Sequence, residues 1–135
     1  MRNVLYVTVL FAVLSGPWPA HARDVSIGGL PPVVVRTVPE SGSRGVDPGI
    51  TEMKVTFSKD MLDGGWSCVN LSEETFPPSV GEPRFEQDRR TFVLPVKLDP
   101  GKTYAVMFNS DKYKNFKDTG KNPAMPYLLV FETKK

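Results

Sequence analysis

The stretch Leu98-Asp99-Pro100-Gly101-Lys102-Thr103-Tyr104 places a proline–glycine turn directly before a tyrosine that opens an apolar segment. In sandwiches of two antiparallel sheets, a tyrosine in this context packs its ring on the core and its hydroxyl bonds back to the turn, an arrangement called a tyrosine corner. The alternative is an ordinary buried tyrosine. The stretch predicts that Tyr104 has a structural role at the corner of a β-sandwich.

Short apolar segments surround this turn on both sides, and turn residues separate them at a spacing of roughly ten residues. The clearest is Met53–Ser58, whose strict alternation points Met53, Val55 and Phe57 to one face. No segment sustains a helical period over three turns. The remaining segments are Val33–Val38, Trp66–Leu71, Pro83–Gln87, Phe92–Leu98, Tyr104–Phe108 and Tyr127–Thr133. Seven short strands in about 100 residues predict an all-β, immunoglobulin-like sandwich over residues 31–135.

Three segments carry more detailed expectations. The consecutive valines 33–35 leave the inward face of the first strand undecided. Phe92–Leu98 alternates, but Pro95 falls on its outward face and indicates an edge position or a bulge, because proline cannot donate to a strand ladder. The nearly continuous apolar run Tyr127–Thr133 predicts a central strand.

The N-terminus has the layout of a secretory signal peptide. A basic start at Arg2 precedes the apolar run Val4–Leu14, and Ala20 and Ala22 provide small residues before a cut. We therefore predict a signal peptide over residues 1–22, a flexible leader over 23–30, and a secreted or periplasmic product without membrane insertion after cleavage. The alternative is an uncleaved anchor, although the apolar run is shorter than the about 20 residues that span a bilayer.

The composition argues against catalysis and against nucleic acid. The chain has 17 basic and 15 acidic residues, and this balance gives no strong field for a nucleic acid. The only histidine, His21, lies in the predicted signal peptide, so the domain lacks the usual general base. Cys68 is the only cysteine, which excludes an intramolecular disulfide, and a buried small hydrophobe describes it better than a reactive thiol. The sequence predicts no catalytic residue and no cofactor.

Metal binding receives little support from the sequence. There is no cluster of histidines and cysteines for zinc. Asp60 with Asp63, or Asp118 with the Asn122 amide, offers oxygen ligands at a sandwich end, but no spacing matches a dedicated calcium loop. Solvated loop acids explain these residues better, and the sequence predicts no metal site.

Four pieces of the chain, in order, resemble the bacterial Ig-like domain of the S-layer-protein (SbsA) type. They are Pro31–Pro48, the strand ending Phe57-Ser58-Lys59-Asp60-Met61, Leu98–Tyr104, and Asp118–Ala124 with the closing strand. The last piece has one extra residue between Gly120 and Asn122. The resemblance covers Pro31–Thr133 and implies an Ig-like fold, export, and a module without a catalytic motif. Family members are often appended to other domains, whereas this domain is expected to stand alone.

The segment 111–121 is the best candidate for binding a partner. Lys112, Tyr113, Lys114, Phe116 and Lys117 interleave charges and aromatic rings in a loop near the end of the sandwich. Lysines suit anionic groups, and aromatic rings stack or anchor. The alternative is that Phe116 plugs the end of the sandwich while the lysines keep the loop soluble.

Two functions follow as hypotheses. The first is a secreted, non-catalytic module with a structural or protein-interaction role in the bacterial envelope or outside the cell. The alternative is a carbohydrate-binding module for cell-wall or extracellular glycan, which needs two or three exposed aromatic rings on one plane. The candidates for such rings are Trp66, Tyr113, Phe116 and Tyr127. Trp66 itself is expected in the core, with an exposed anchor as the alternative.

Overall fold

The computed structural model describes residue 16 and residues 26–135. Apart from Gly16, the predicted signal peptide lies outside the described residues, as does its cleavage site. Within the described residues a short 3₁₀ turn, Ile27–Gly29, precedes seven strands. The strands are β1 (Val34–Val38), β2 (Glu52–Phe57), β3 (Cys68–Asn70), β4 (Arg84–Phe85), β5 (Thr91–Pro95), β6 (Thr103–Phe108) and β7 (Tyr127–Glu132).

The strands form two antiparallel sheets. One has the order β1-β2-β5-β4, and the other has the order β3-β6-β7. This division of seven strands into four and three is that of the constant-type immunoglobulin fold. The predicted all-β, Ig-like sandwich is therefore confirmed.

The core lies between the sheets and follows the alternation in the sequence. Met53, Val55 and Phe57 of β2 are each only 1% exposed. In β1 a bulge between Val34 and Arg36 resolves the ambiguity of the three valines. Val34 packs against the core, whereas Val33 and Val35 are exposed.

The prediction that the last strand is central was wrong. β7 is the terminal strand of its sheet, paired on one side with β6. Its other side receives the chain before β2, since the N–H groups of Gly42 and Val46 donate to the carbonyls of Val130 (2.6 Å) and Glu132 (2.9 Å). This cover closes the backbone edge of β7, but it does not bury the outward side chains of the apolar run, since Leu128 remains 41% exposed.

Of the two alternatives predicted for Pro95, the edge position was wrong, whereas an irregularity is present on the β4 side. There Arg84 pairs with Val93 but Ser79 pairs with Val96, so residues 80–83 lie opposite only Leu94 and Pro95. β5 lies between β2 and β4, and its register with β2 is continuous from Glu52↔Pro95 onward. The N–H of Val96 donates to the Thr51 carbonyl (2.9 Å), so antiparallel alternation turns the nitrogen of Pro95 away from β2. On that side the Pro95 ring lies against Gly81, and no backbone hydrogen bond to a neighbouring segment requires an N–H at residue 95.

Tyr104 has the geometry of a tyrosine corner. Its ring is fully buried and lies 5.6 Å from the ring of Phe131. Its hydroxyl accepts a hydrogen bond of 2.7 Å from the N–H of Asp99, at the start of the turn. The same turn is held from the other side, because Thr133 Oγ1 donates to the Asp99 carbonyl (2.6 Å).

Replacing Tyr104 with phenylalanine is expected to lower the free energy of unfolding by about 1–2 kcal/mol, because the ring stays packed while the Asp99 N–H loses its partner. Urea denaturation of the two chains measures the difference. Thr103→Ala, on the exposed neighbouring position, serves as the control and should change stability by less than about 0.5 kcal/mol. Equal stability of the phenylalanine variant and the parent would show that the hydroxyl does not hold the corner.

Candidate functional site

Hydrogen bonds anchor the backbone of the lysine loop, residues 111–117, at both ends. The N–H of Ser110 donates to the Tyr113 carbonyl (2.8 Å), and the N–H of Tyr113 donates back to Ser110 Oγ (3.0 Å). The N–H of Asn115 donates to Ser67 Oγ across to the start of β3 (3.0 Å). The loop therefore presents its side chains from an ordered backbone.

Phe116 does not belong to the surface of this loop. Its side chain is 0% exposed, and its ring lies 4.9 Å from that of Phe92 and 5.2 Å from that of Phe57. The candidate partner contact at Phe116 was thus wrong, and the alternative of a buried ring that plugs the sandwich agrees with the structure, because burial among aromatic rings is more favourable than exposure. Phe116 instead anchors the loop to the core, and Lys117 beside it is only partly exposed.

Three predicted residues remain on the surface. Lys112 and Lys114 are exposed, and Tyr113 between them is 48% exposed. The ammonium of Lys112 lies 5.2 Å from the centre of the Tyr113 ring, within the range of a cation–π contact. These three side chains form a small basic and aromatic patch.

Through Tyr113, this patch meets an open cleft of about 580 Å³ beside β3, between the two sheets. Trp66, Phe76 and Tyr113 contribute aromatic surface to it, and Asn70 and Asn115 contribute amides. The other lining residues are Ser67, Cys68, Val69, Ser79, Pro83 and Leu94. Every lining residue is uncharged, so the cleft suits an apolar or neutral group.

Trp66 connects the cleft to the core. It lies before β3 and is partly buried, with its ring 5.5 Å from that of Phe92. The two expectations for Trp66 thus meet in one residue, which packs on the core and also lines the cleft.

Cys68 lines the same cleft but is a poor nucleophile. Burial raises the pKa of its thiol to about 12. At neutral pH the reactive thiolate is therefore almost absent, since a nucleophilic cysteine needs a lowered pKa.

The acidic candidates for calcium are engaged by other groups. Asp118 contacts the ammonium of Lys59 (2.5 Å), and the N–H of Asn122 donates to its carboxylate (2.9 Å). Asp60 pairs with the guanidinium of Arg90 (2.8 Å). In the part of the chain that the structure describes, no three potential metal ligands cluster together. These carboxylates form structural ion pairs at the sandwich end.

The Lys59–Asp118 pair also reaches the leader. The ammonium of Lys59 donates to the carbonyls of Gly28 (3.1 Å) and Leu30 (2.8 Å) in addition to Asp118, so its three donors are all used. The described part of the leader, residues 26–30, is exposed and meets the domain through these two bonds to Lys59.

Sequence reasoning missed Asn109, which holds the lysine loop from beneath. Its side chain is fully buried, with Nδ2 donating to the carbonyls of Phe116 (2.9 Å) and Ala124 (3.0 Å). Its Oδ1 accepts from the Phe116 N–H (3.0 Å), and its φ is +59°. An asparagine just past an apolar strand is a weak signal for a left-handed turn residue, since asparagine tolerates positive φ better than most residues.

None of the helical structure in residues 26–135 is long and apolar enough to cross a bilayer.

Comparison with known proteins places the chain in a family. The model of a bacterial Ig-like domain matches residues 29–133. A search of curated proteins finds no significant match. Among solved structures, the S-layer protein rSbsC(31-844) is similar with a TM-score of 0.50 and 23% identity, over 78% of this chain. Domains 1–6 of the surface layer protein SbsC give a TM-score of 0.51 and 23% identity, over 80% of it.

The chain spans only 14% of either S-layer structure, and identity at this level concerns the fold alone. The family model, in contrast, matches most of the chain and agrees with the resemblance found in its motifs. This protein therefore belongs to the family of bacterial Ig-like domains.

Proposed function

We propose that this protein is an exported, non-catalytic Ig-like module with a structural or protein-interaction role in the bacterial envelope or the extracellular space. The observation that carries the proposal is the ordered display of Lys112, Tyr113 and Lys114 beside an open, neutral cleft. A preorganised loop binds at a lower entropic cost than one that must be ordered on contact. Export is supported by the N-terminal sequence and by the likeness in fold to surface layer proteins.

The absence of a catalytic role is supported by the chemistry near the cleft. Residues 26–135 contain no histidine, and the one thiol has a pKa of about 12. No carboxylate lines the cleft, so it offers neither a general base nor an activated nucleophile.

The exposure of aromatic rings favours a protein partner over a glycan. Of the four rings considered, Tyr113 is exposed, Trp66 and Tyr127 are partly buried, and Phe116 is fully buried. A flat platform of two or three exposed rings is therefore not supported, and Tyr113 alone stacks poorly on a sugar chain.

The double substitution Lys112→Glu with Lys114→Glu is expected to leave folding intact and to weaken recovery of envelope proteins at least about fivefold, because both lysines are exposed and a like-charge contact replaces an attractive one. Quantitative pull-down from the source envelope fraction measures recovery, and circular dichroism checks the fold. Lys134→Glu with Lys135→Glu is the matched control, since both are exposed and the net charge changes equally. Equal recovery by the two double variants would refute a role for the loop.

A further inference from the structure

We propose that β3 is a docking edge for an extended segment of a protein partner, which adds a strand to the three-stranded sheet and places a bulky apolar side chain in the cleft. The inference rests on the proposed interaction role and names the partner's chemistry. Strand addition uses backbone hydrogen bonds for affinity and side-chain pockets for specificity.

The backbone of β3 has unused hydrogen-bonding groups on its outer side. The N–H of Asn109 donates to the Ser67 carbonyl (3.0 Å), which sets the phase of the β3–β6 ladder. Since bonded and non-bonded pairs alternate in an antiparallel ladder, Val69 bonds to β6, while the N–H and C=O groups of Cys68 and Asn70 point away from it. No residue within 26–135 forms a hydrogen bond with those four groups. They form two rungs ready for an added strand.

The two edges of this sheet differ. Residues 42–46 cover the outer side of β7 through hydrogen bonds to Val130 and Glu132. The sequence of β3, Cys68-Val69-Asn70, has no charged residue and no proline, which are two of the devices that block an edge. Its length of three residues limits an added strand to the two rungs described above. Among the described residues, β3 is therefore the terminal strand of this sheet that has no cover. It is also the strand that borders the cleft.

The cleft determines what the added strand carries. Its wall combines Trp66, Phe76 and Leu94 without any charge, so a leucine- or valine-sized side chain at an inward position is favoured over a charged one. Tyr113 and Asn115 line the end of the cleft near Trp66. Lys114 lies between them in the sequence, and the ammonium of Lys112 lies 5.2 Å from the centre of the Tyr113 ring. An acidic side chain at that end of the segment complements the two lysines.

A second copy of this chain fits the edge less well. If β3 paired with β3 of a second copy, the copy would direct its own Cys68 and Asn70 side chains toward the cleft. The same two residues of the first chain already line it. Both are small, so they leave most of about 580 Å³ unfilled. A heterologous segment with larger apolar residues fills the space.

The test uses nuclear magnetic resonance of the full chain with a synthetic probe. The probe is an eight-residue peptide in which leucine alternates with threonine, with an aspartate at each end so that either strand direction is served. In the free chain, the amides of Cys68 and Asn70 should exchange with solvent at least about tenfold faster than that of Val69, and the peptide should slow their exchange at least about tenfold. A peptide with serine in place of leucine is the control for the cleft, and it should bind at least about tenfold more weakly.

Two changes test the backbone rungs. Asn70→Pro removes an N–H that β6 does not use, and should weaken peptide binding at least about tenfold, whereas Asn70→Ser keeps the N–H and should change it less than about threefold. Two N-methylated peptides test the same bonds without changing the protein. In one, the N–H groups that point to one side of the extended peptide are methylated, and in the other, those that point to the opposite side. Only the version that loses the N–H groups facing β3 should lose binding.

The remaining outcomes separate the possibilities. Absent binding, binding without protection of the Cys68 and Asn70 amides, or equal binding of both methylated peptides would overturn the proposal. If sedimentation shows a dimer for the parent and a monomer for Asn70→Pro, the occupant of the β3 edge is a second copy of this chain, and the proposed partner segment is refuted. If Lys112→Glu with Lys114→Glu loses its envelope partners while Asn70→Pro keeps them, the interaction role stands without the β3 edge. If the peptide protects the β3 amides, but neither Asn70→Pro nor the double lysine variant changes recovery of envelope proteins, β3 is a docking edge and the proposed interaction role in the envelope is refuted.

Discussion

Replacing Asn109 with alanine is expected to lower the free energy of unfolding by about 3–5 kcal/mol. The substitution leaves three backbone groups without their buried partner, namely the N–H and C=O of Phe116 and the C=O of Ala124. Each lost partner costs about 1 kcal/mol or more when the group stays away from water. The Phe116 carbonyl keeps one bond, from the Ala124 N–H (2.8 Å), which moderates its loss. Denaturation in urea, followed by tryptophan fluorescence, measures the change.

Asn109→Gly separates the backbone contribution from that of the side chain. Alanine at a φ of +59° is strained by about 1–2 kcal/mol, whereas glycine adopts this conformation freely. The glycine variant should therefore be more stable than the alanine variant by about 1 kcal/mol while remaining well below the parent. An alanine variant within about 1 kcal/mol of the parent would show that the buried amide contributes little.

The strand pattern was predictable because it depends on local chemistry. Alternation at Met53, Val55 and Phe57 has one solution that buries three apolar side chains, and the structure adopts it. The turn before Tyr104 is equally local, since the hydroxyl reaches only to Asp99. Such features need no knowledge of the rest of the chain.

The order of strands in the sheets was harder to predict because it depends on distant segments. The apolar run of β7 indicated a central strand, yet residues 42–46 shield its outer side. Pro95 indicated an edge or a bulge; β5 is not an edge, but the nitrogen of Pro95 faces the side on which the pairing with residues 79–85 is irregular. In both cases the neighbour of the strand is an irregular segment, which the local pattern does not show.

The candidate site also combines features that local chemistry predicts with features that depend on distant segments. Charge kept Lys112 and Lys114 at the surface, as their side chains require. For Phe116 the sequence left two alternatives, a partner contact and a plug at the end of the sandwich, because the sequence around it does not show that its ring meets Phe57 and Phe92 from other strands. The cleft at β3 was not visible either, since it depends on which strand ends a sheet.

Two motifs that carried the family resemblance meet in space. The Phe57–Met61 piece and the Asp118–Ala124 piece lie side by side, with a bridge between Met61 and Asp118 and the Lys59–Asp118 ion pair between them. Asn122 closes the second piece by donating its N–H and its Nδ2 to the Asp118 carboxylate. These motif residues therefore form a structural clasp that fixes the loop end of the sandwich.

The clasp makes stability depend on acid pH. Burial alone would raise the pKa of the Asp118 carboxyl, but hydrogen bonds from Lys59 and Asn122 outweigh it and hold the pKa at about 2, below the usual 3.8. Because the folded chain binds this proton less readily than the unfolded chain, the ionised carboxylate stabilises the fold above about pH 4. That contribution disappears as the pH falls through the folded value of about 2.

Asp118→Asn should remove this dependence at a large cost in stability. At pH 7 the variant is expected to lose about 2–4 kcal/mol, because Lys59 keeps its charge at a site only 17% exposed without the carboxylate that balances it. Between pH 6 and pH 2 the parent should lose about 2 kcal/mol more than the variant does, the amount that a pKa shift of this size represents. Urea denaturation across this pH range measures both. Lys59→Met is the matched control, since it removes the opposite charge and should also flatten the acid dependence. Parallel pH profiles of parent and Asp118→Asn would show that the clasp acts through shape and not through charge.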